Sequence, residues 1–364
     1  MITRIRSGRI LSALVLIITA ALLLVVAWPQ LVGLQNSWVF AHIVSLRALA
    51  GVVALAAIVV LLLFSLIRPL RGMFLALSAL LLVFAVANAG ILLSRGIGTG
   101  QVEVASAAAV HSGTVGAAQG GNASDVTVLS WNTLGDATGA DAIAQLAIEQ
   151  QADVVTLPET TEETGVAVAE LMREAGRPMW VHTIAFDQVS KARSTTLLVS
   201  PGLGEYTVSS EPGSGPPGNT NVLPTVVATP TDGDGPTIIA VHAVAPIQWE
   251  MSNWRSDLDW LATRCATGDV IMAGDFNATV DHMAGLETSA PAVLGACSDA
   301  AITAGSGAVG TWPTAAPALL GSPIDHVLAT SNWRVASMNV IATSDAAGSD
   351  HRPIVARLTP NDGE

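Results

Sequence analysis

The sequence predicts an α/β domain carried behind three transmembrane helices, and three observations predict it. The first 95 residues hold no Asp or Glu and are filled by three long apolar runs. From Asp125 onward, short β-branched runs alternate with segments of helical period. Polar side chains suited to metal or proton chemistry recur where the β-branched runs stop.

The 364-residue chain is 51% hydrophobic with a mean hydropathy of +0.53, more apolar than an ordinary soluble protein. The excess lies in runs at about 10–28, 48–67 and 73–93. Each is close to the roughly 20 residues needed to cross a bilayer core. A cleaved signal peptide is the alternative reading of the first run alone. Two further runs follow it, with no clear small-residue cleavage site before the second, which favours three spans. Arg4, Arg6 and Arg9 precede the first span, and Arg68 and Arg71 lie between the second and third. Basic loops stay in the cytoplasm, so the N-terminus is expected there and the chain after Arg95 outside. Arg47 and Arg95 run against this pattern without reversing it.

Residues 96–124 are small and polar, without sustained periodicity, and read as a flexible linker. His111 within it reads as solvated. Residues 125–360 form the second unit, long enough for one domain with a sizeable core. Its expected strands are DVTVLSWN, ADVVTLPE, STTLLVS, NVLPTVVATP, PTIIAVHA, VIMAGDFN, IDHVLAT, WRVASMNVIATS and RPIVARLTP. Its expected helices begin at Asp141, taken as an N-cap, at Thr161, and near Gln248, where Trp254, Leu258 and Leu261 fall at helical spacing. Gly176 stops the second of these.

The strand ends carry the chemistry. VLSWN ends in Asn132, VVTLPE in Glu159 and IIAVH in His242; IMAGDFN ends in Asp275 and Asn277. GSPIDHV carries Asp325, and GSDHRP carries Asp350 and His351. Each has a plain structural reading: a turn Asn, a helix-starting Glu, a core His, an Asx turn, a loop pair. In α/β sheets, however, strand ends and their loops are where sites are built, and these signals occur together.

In this order, Asn, Glu, His, GDFN, Asp before an apolar strand and SDH resemble the endonuclease/exonuclease/phosphatase superfamily over about 125–360. The resemblance implies a four-layer α/β sandwich, two packed mixed β-sheets flanked by helices. It implies Mg²⁺ or Mn²⁺ as cofactor, with Glu159 as principal metal ligand, Asn132 beside it and Asp350 at or near the metal. It implies that Asp275 orients or deprotonates the attacking water and that Asn277 and His242 contact phosphate. His351 would be the second essential His, its tautomer fixed by Asp325. The family usually has Gln before the Glu; here Pro158 stands there. Several members use a Tyr in the phosphate site, and Tyr206, the only Tyr, finds no place there. Trp312, in GTWP, reads either as a core side chain or as an exposed ring stacking on substrate.

All 29 acidic residues and nine of the 16 basic ones follow Arg95, so the formal charge of 96–364 is −20. That disfavours a phosphate-tracking nucleic-acid groove, since cationic side chains supply most non-specific affinity. The expected function is therefore a membrane-anchored, metal-dependent phosphoester hydrolase acting outside the cytoplasm on a lipid headgroup, a small phosphodiester or nucleic acid. The rivals are a surface nuclease and a non-catalytic binding protein that keeps the fold. Loss of Glu159, Asp275 or His351 would mark the latter, and all three are present. Cys265 and Cys297, the only cysteines, read either as a disulfide or as two buried thiols.

Overall fold

Apolar composition and two prolines set the layout of the N-terminal region. The computed structural model describes residues 2–98, 125–186, 189–209, 215–216 and 222–361. The chain forms α1 (Ile2–Ala27), α2 (Trp38–Ser45), α3 (Arg47–Phe64) and α4 (Arg71–Arg95), with breaks at Pro29 and at Pro69. Stretches within α1 and α3, and a third ending with α4, are long and apolar enough to cross a membrane. Their outer faces expose side chains such as Leu14, Ile18, Val59, Leu63 and Val83, an apolar surface that is costly in water. The helix α2 occupies what reads in sequence as a loop between spans. It buries Ala41 and Val44, one helical turn apart.

The expected linker is not free from its first residue. The backbone after α4 docks on a turn far along the chain: Gly98 N–H donates to Gly305 O, and Ala308 N–H donates to Gly96 O. Residues 99–124, His111 included, lie outside the described residues.

Beyond them come β1 (Val126–Ser130), α5 (Ala140–Glu149), β2 (Val154–Pro158), α6 (Glu162–Glu174), β3 (Trp180–Ala185), β4 (Ser194–Val199) and β5 (Tyr206–Val208). Next are β6 (Val226–Pro230), β7 (Thr237–His242), α7 (Met251–Arg264), β8 (Val270–Asp275) and α8 (Val280–Met283). The chain finishes with β9 (Ser298–Asp299), α9 (Ala300–Thr303), β10 (Asp325–Ala329), β11 (Trp333–Val340) and β12 (Ile354–Pro360). One sheet has the order β11-β12-β1-β2-β4-β3 and the other β5-β6-β7-β8-β10-β9. Both are mixed, with β1·β2 and β7·β8 as the parallel pairs.

Period-2 alternation builds the layers. On β7 and β8, Ile238, Ala240, Ile271 and Ala273 face the other sheet, joined there by Val128, Val154 and Leu197. The alternate residues Ile239, Val241 and Met272 pack outward on Trp254, Leu258 and Leu261 of α7. Leu129, Val155 and Leu157 do the same under α5 and α6. The result is helices, sheet, sheet, helices, the four-layer sandwich expected. Cys265, at the end of α7, is paired with Cys297 as a disulfide, with Cα atoms 5.8 Å apart.

Three strands escape the sequence reading. β3 is an edge strand whose side chains are only half-buried, so it lacks a clean apolar alternation. β5 and β9 are three and two residues long. One cap also differs: Gly139 precedes the first helix of the domain, and Asp141 sits inside its first turn, where a carboxylate still suits the helix dipole.

Candidate active site

Register brings the polar strand ends into two facing rows. In the second sheet, His242 on β7 pairs with Asp275 on β8, and Asp275 pairs in turn with Asp325 on β10. Gly274 makes this possible: a Cβ there would run into the Val241 carbonyl of β7. In the first sheet, Asn132 and Glu159 follow the ends of the parallel strands β1 and β2, and His351 precedes β12, the other neighbour of β1. Glu159 has φ of 58°, a backbone turn that lifts the carboxylate off the strand end.

The rows meet through Asn132. Its Nδ2 donates to Glu159 Oε1 and to Asp275 Oδ2, both at 3.1 Å, while its Oδ1 accepts the Leu134 N–H at 3.0 Å. Held this way, Asn132 presents N–H groups to the two carboxylates and braces them. Its carbonyl oxygen is turned to the Leu134 N–H, so the role of Asn132 beside a metal would be to position the two carboxylates.

Asp275 and Asn277 converge through a turn. Asn277 has φ of 47°, and its N–H donates to Asp275 Oδ1 at 2.8 Å. Its Nδ2 donates to Ala243 O at 2.9 Å and to Asp275 Oδ2 at 3.2 Å. Both amide hydrogens are thus engaged, and a phosphate oxygen must compete with Asp275 for one. Burial pushes the Asp275 carboxyl well up, the nearby Asp325 adds to this, and His351 opposes it.

His351 is paired to Asp325, Nδ1 to Oδ2 at 2.9 Å, with Nε2 3.8 Å from Asp275 Oδ2. Burial disfavours its charge, yet Asp325 and Asp275 prevail and raise it to about 10. The ring is therefore an imidazolium at neutral pH. His242 is the opposite case: burial, aided by the His351 charge, lowers it to about 3. Thr195 spends its hydroxyl hydrogen on Pro224 O at 2.7 Å, so it accepts from His242 Nδ1 at 3.4 Å. That leaves His242 Nε2 without a proton, 3.9 Å from Glu159 Oε1.

Asp275, Asp325 and His351 offer donor atoms within 4.8 Å of one another. This buried group could hold a metal if His351 gave up its proton; without a metal, the Asp325 partner keeps the ring cationic. An all-oxygen donor set is on the Glu159 side. Glu159 and Asp275 are bridged there by one amide, and the Asp350 carboxylate is near enough to influence Glu159, with its Oδ1 buried and unpartnered. Burial raises the Glu159 pKa, with the Asn132 hydrogen bond acting against it. A cation is the natural compensation for such carboxylates, and an all-oxygen set suits Mg²⁺ or Mn²⁺.

The model of the Endonuclease/Exonuclease/phosphatase family matches residues 129–351, over half of the chain and every strand end just described except β12. The chain belongs to this family. The fold is similar to that of an endonuclease/exonuclease/phosphatase from Beutenbergia cavernae, 20% identical, with 65% of this chain and 72% of that one covered and a TM-score of 0.47. It is also similar to one from Bacteroides vulgatus, at 15% identity, 65% and 100% coverage and a TM-score of 0.48. A third is a 3′ phosphatase from Neisseria bound to product DNA hairpin, at 15%, 64% and 98%, with a TM-score of 0.43. No curated protein matches.

The remaining family questions have structural answers. Tyr206 is buried between the sheets on β5, where burial and then Asp269 and Asp232 push its hydroxyl up to about 12; none of the residues around it belongs to the site. Trp312 is half-buried, its indole N–H donating to Asp350 Oδ2 at 2.9 Å. Pro158 closes β2 opposite Thr195, and its carbonyl accepts the Thr133 N–H. Sequence reasoning missed Thr195 and Ser349. Ser349 Oγ donates to Asn132 O at 2.6 Å and accepts the His351 N–H at 3.0 Å, so it ties two site residues together. It stands in the GSDH motif and was open to notice; a strand Thr carries no such signal.

Proposed function

We propose that the protein hydrolyses a phosphoester at this site, with Mg²⁺ or Mn²⁺ held by Glu159 and with Asp350 nearby. The observation that supports this most is the convergence of the strand ends: buried Asp275 lies 3.8 Å from the ring of His351, which Asp325 holds at 2.9 Å, and one amide of Asn132 bridges Asp275 to Glu159. Asp275 is a base strong enough to take the proton from a water as its oxygen bonds to phosphorus. The bond from phosphorus to the leaving oxygen breaks in the same displacement, and the leaving oxygen takes up a proton from solvent water while Asp275 later returns its own to solvent. His351 faces the charge that gathers on the phosphoryl oxygens and donates to it through Nε2. A bound cation would add positive charge that polarises the phosphoryl group. His242, in its Nδ1–H tautomer, contacts phosphate as a donor only after gaining a proton at Nε2.

The reading includes the place of work: the N-terminus in the cytoplasm and the domain outside, on the strength of the basic residues. The charge of −20 favours a lipid headgroup or small phosphodiester over duplex DNA. The test is a panel assay of the full-length protein in detergent with Mg²⁺ or Mn²⁺. Plasmid DNA, RNA, sphingomyelin, phosphoinositides and a chromogenic phosphodiester would be offered beside the Glu159→Gln variant. One small or lipid phosphoester should be cleaved, and Glu159→Gln should cost at least about 100-fold, the scale of losing one charge-stabilising group. Equal rates for the variant would place the site elsewhere. Best turnover on duplex DNA, with binding steeply weakened by salt, would make the protein a nuclease.

A further inference from the structure

The membrane region reaches the site. A cavity of about 320 Å³ lies between α2 and the strand ends. Asn277 and His351 line it on the catalytic side, Ala41 and Ser45 on the α2 side, and Ile247 and Trp312 between them. The two sides are locked together. His282 Nε2 donates to Ala41 O at 3.0 Å, and Ser45 and Ser322 hydroxyls meet at 2.8 Å. The short turn Ala318–Leu320 packs on α3 itself.

Position says what adjoins this cavity. The C-terminal end of α1, the N-terminal end of α3 and the C-terminal end of α4 lie at the face of the bundle that the domain covers, since Ala27 O, Arg47 and Arg95 all reach one another or Asp281 there. α2 follows α1 and precedes α3, so it lies at the surface where the spans leave the lipid. Large apolar side chains are exposed on the same side of the domain: Trp38 at 44%, Ile247 at 38%, Trp249 at 78% and Leu319 at 50%. Tryptophans at this level are the side chains that favour a membrane interface. The cavity is lined by Ala41 and Ser45 of α2, with His351 on its other side, and so spans from the level of α2 to the strand ends.

We infer that the cavity is a chain-binding subsite, and that the substrate is a lipid phosphoester drawn from the adjoining leaflet, its apolar part against α2 and Ile247. This deepens the hydrolase reading and rests on it for the reacting end only. Nothing in the strand-end chemistry requires α2, so the subsite is a property of the anchor.

Two measurements on the full-length protein in nanodiscs test it. The first compares octyl and ethyl p-nitrophenyl phosphate, which share the reacting diester and the leaving group. The octyl ester should be favoured at least about tenfold in kcat/KM, since each buried methylene contributes several-fold. Ile247→Asp should bring that ratio towards one, and Ile247→Leu should restore it. The second uses octyl phosphate with a diazirine on its chain, followed by peptide mapping, and needs no turnover. Label should appear at 245–249 and on α2. Label confined to α1, α3 and α4, or an octyl-to-ethyl ratio near one in the wild type, overturns the subsite even if both esters are cleaved. Label at 245–249 with neither ester cleaved keeps the subsite and removes the hydrolase reading.

Discussion

Asp325 and His326 are neighbours in sequence and do unrelated work, because successive strand residues face opposite ways. Asp325 turns to His351. His326 is buried behind it, with Nδ1 2.6 Å from Asp299 Oδ2 and Nε2 2.8 Å from Ala278 O. Both partners accept, so both ring nitrogens carry protons. Burial opposes the charge, but Asp299 outweighs it and the pKa is raised above 6.5. A group whose folded pKa is raised gives stability that is complete below its unfolded value and is lost as pH climbs through the folded value. Unfolding at pH 5–9 should therefore show a decline towards alkaline pH that His326→Gln flattens, the variant being less stable at pH 6 by roughly 1.5–3 kcal/mol. Identical pH profiles would show that His326 is neutral in the fold. The same contrast marks what was readable beforehand. That these polar side chains converge was legible because GDFN and SDH keep local spacing. The orientation of Asn132, the tautomer of His242 and the commitments of Asn277 were not, since Leu134 N–H, Thr195 and Ala243 O decide them, and two of those lie far away in sequence.

At the scale of elements, the strands were legible wherever one face alternates or both are apolar, and edge strands were not. The junction between anchor and domain was invisible for another reason: its partners are 234 and 186 residues apart. Asp281 on α8 receives Arg47 through Nε and Nη2, each at 2.7 Å, and Arg95 through both terminal nitrogens at 2.8 Å. Gln30 adds a donor at 2.8 Å. Burial would raise the Asp281 pKa, but the two guanidiniums hold it well below the usual carboxylate range. On the next residue, His282 is lowered by burial to about 4 and closes a capping box with Thr279, its Nδ1 accepting the Thr279 N–H. α8 follows Asn277 by three residues, so the contact with the N-terminal helices steadies the loop that carries Asn277. Asp281→Asn should leave a buried Arg47 without its counter-charge and cost about 3 kcal/mol in unfolding of the full-length protein. Activity should fall with it although no site residue is touched. A cost below about 1 kcal/mol would show that the ion pairs are only incidental.

For the whole molecule, the same ion pairs bear on which way the chain sits in the membrane. Read alone, Arg47 and Arg95 are basic residues at the end of the spans that the domain covers, against the rule that basic flanks stay in the cytoplasm. In the fold both are spent on Asp281. At the opposite end of the bundle Arg68 and Arg71 are exposed, with no ion pair among the described residues, and α1 begins at that end in a stretch holding Arg4, Arg6 and Arg9. Asp281 offsets one of the two charges of Arg47 and Arg95, which leaves one net positive charge at the covered end against the five basic residues that the sequence places towards the other, and the expected orientation rests on that difference. Protease added to intact cells or spheroplasts should cut within 99–124, whose composition is small and polar. A denaturing gel should then show the domain as a separate fragment, even where α2 and α8 keep it docked on the anchor. A domain that stays whole until the membrane is permeabilised would put it in the cytoplasm, and the substrate leaflet would change with it.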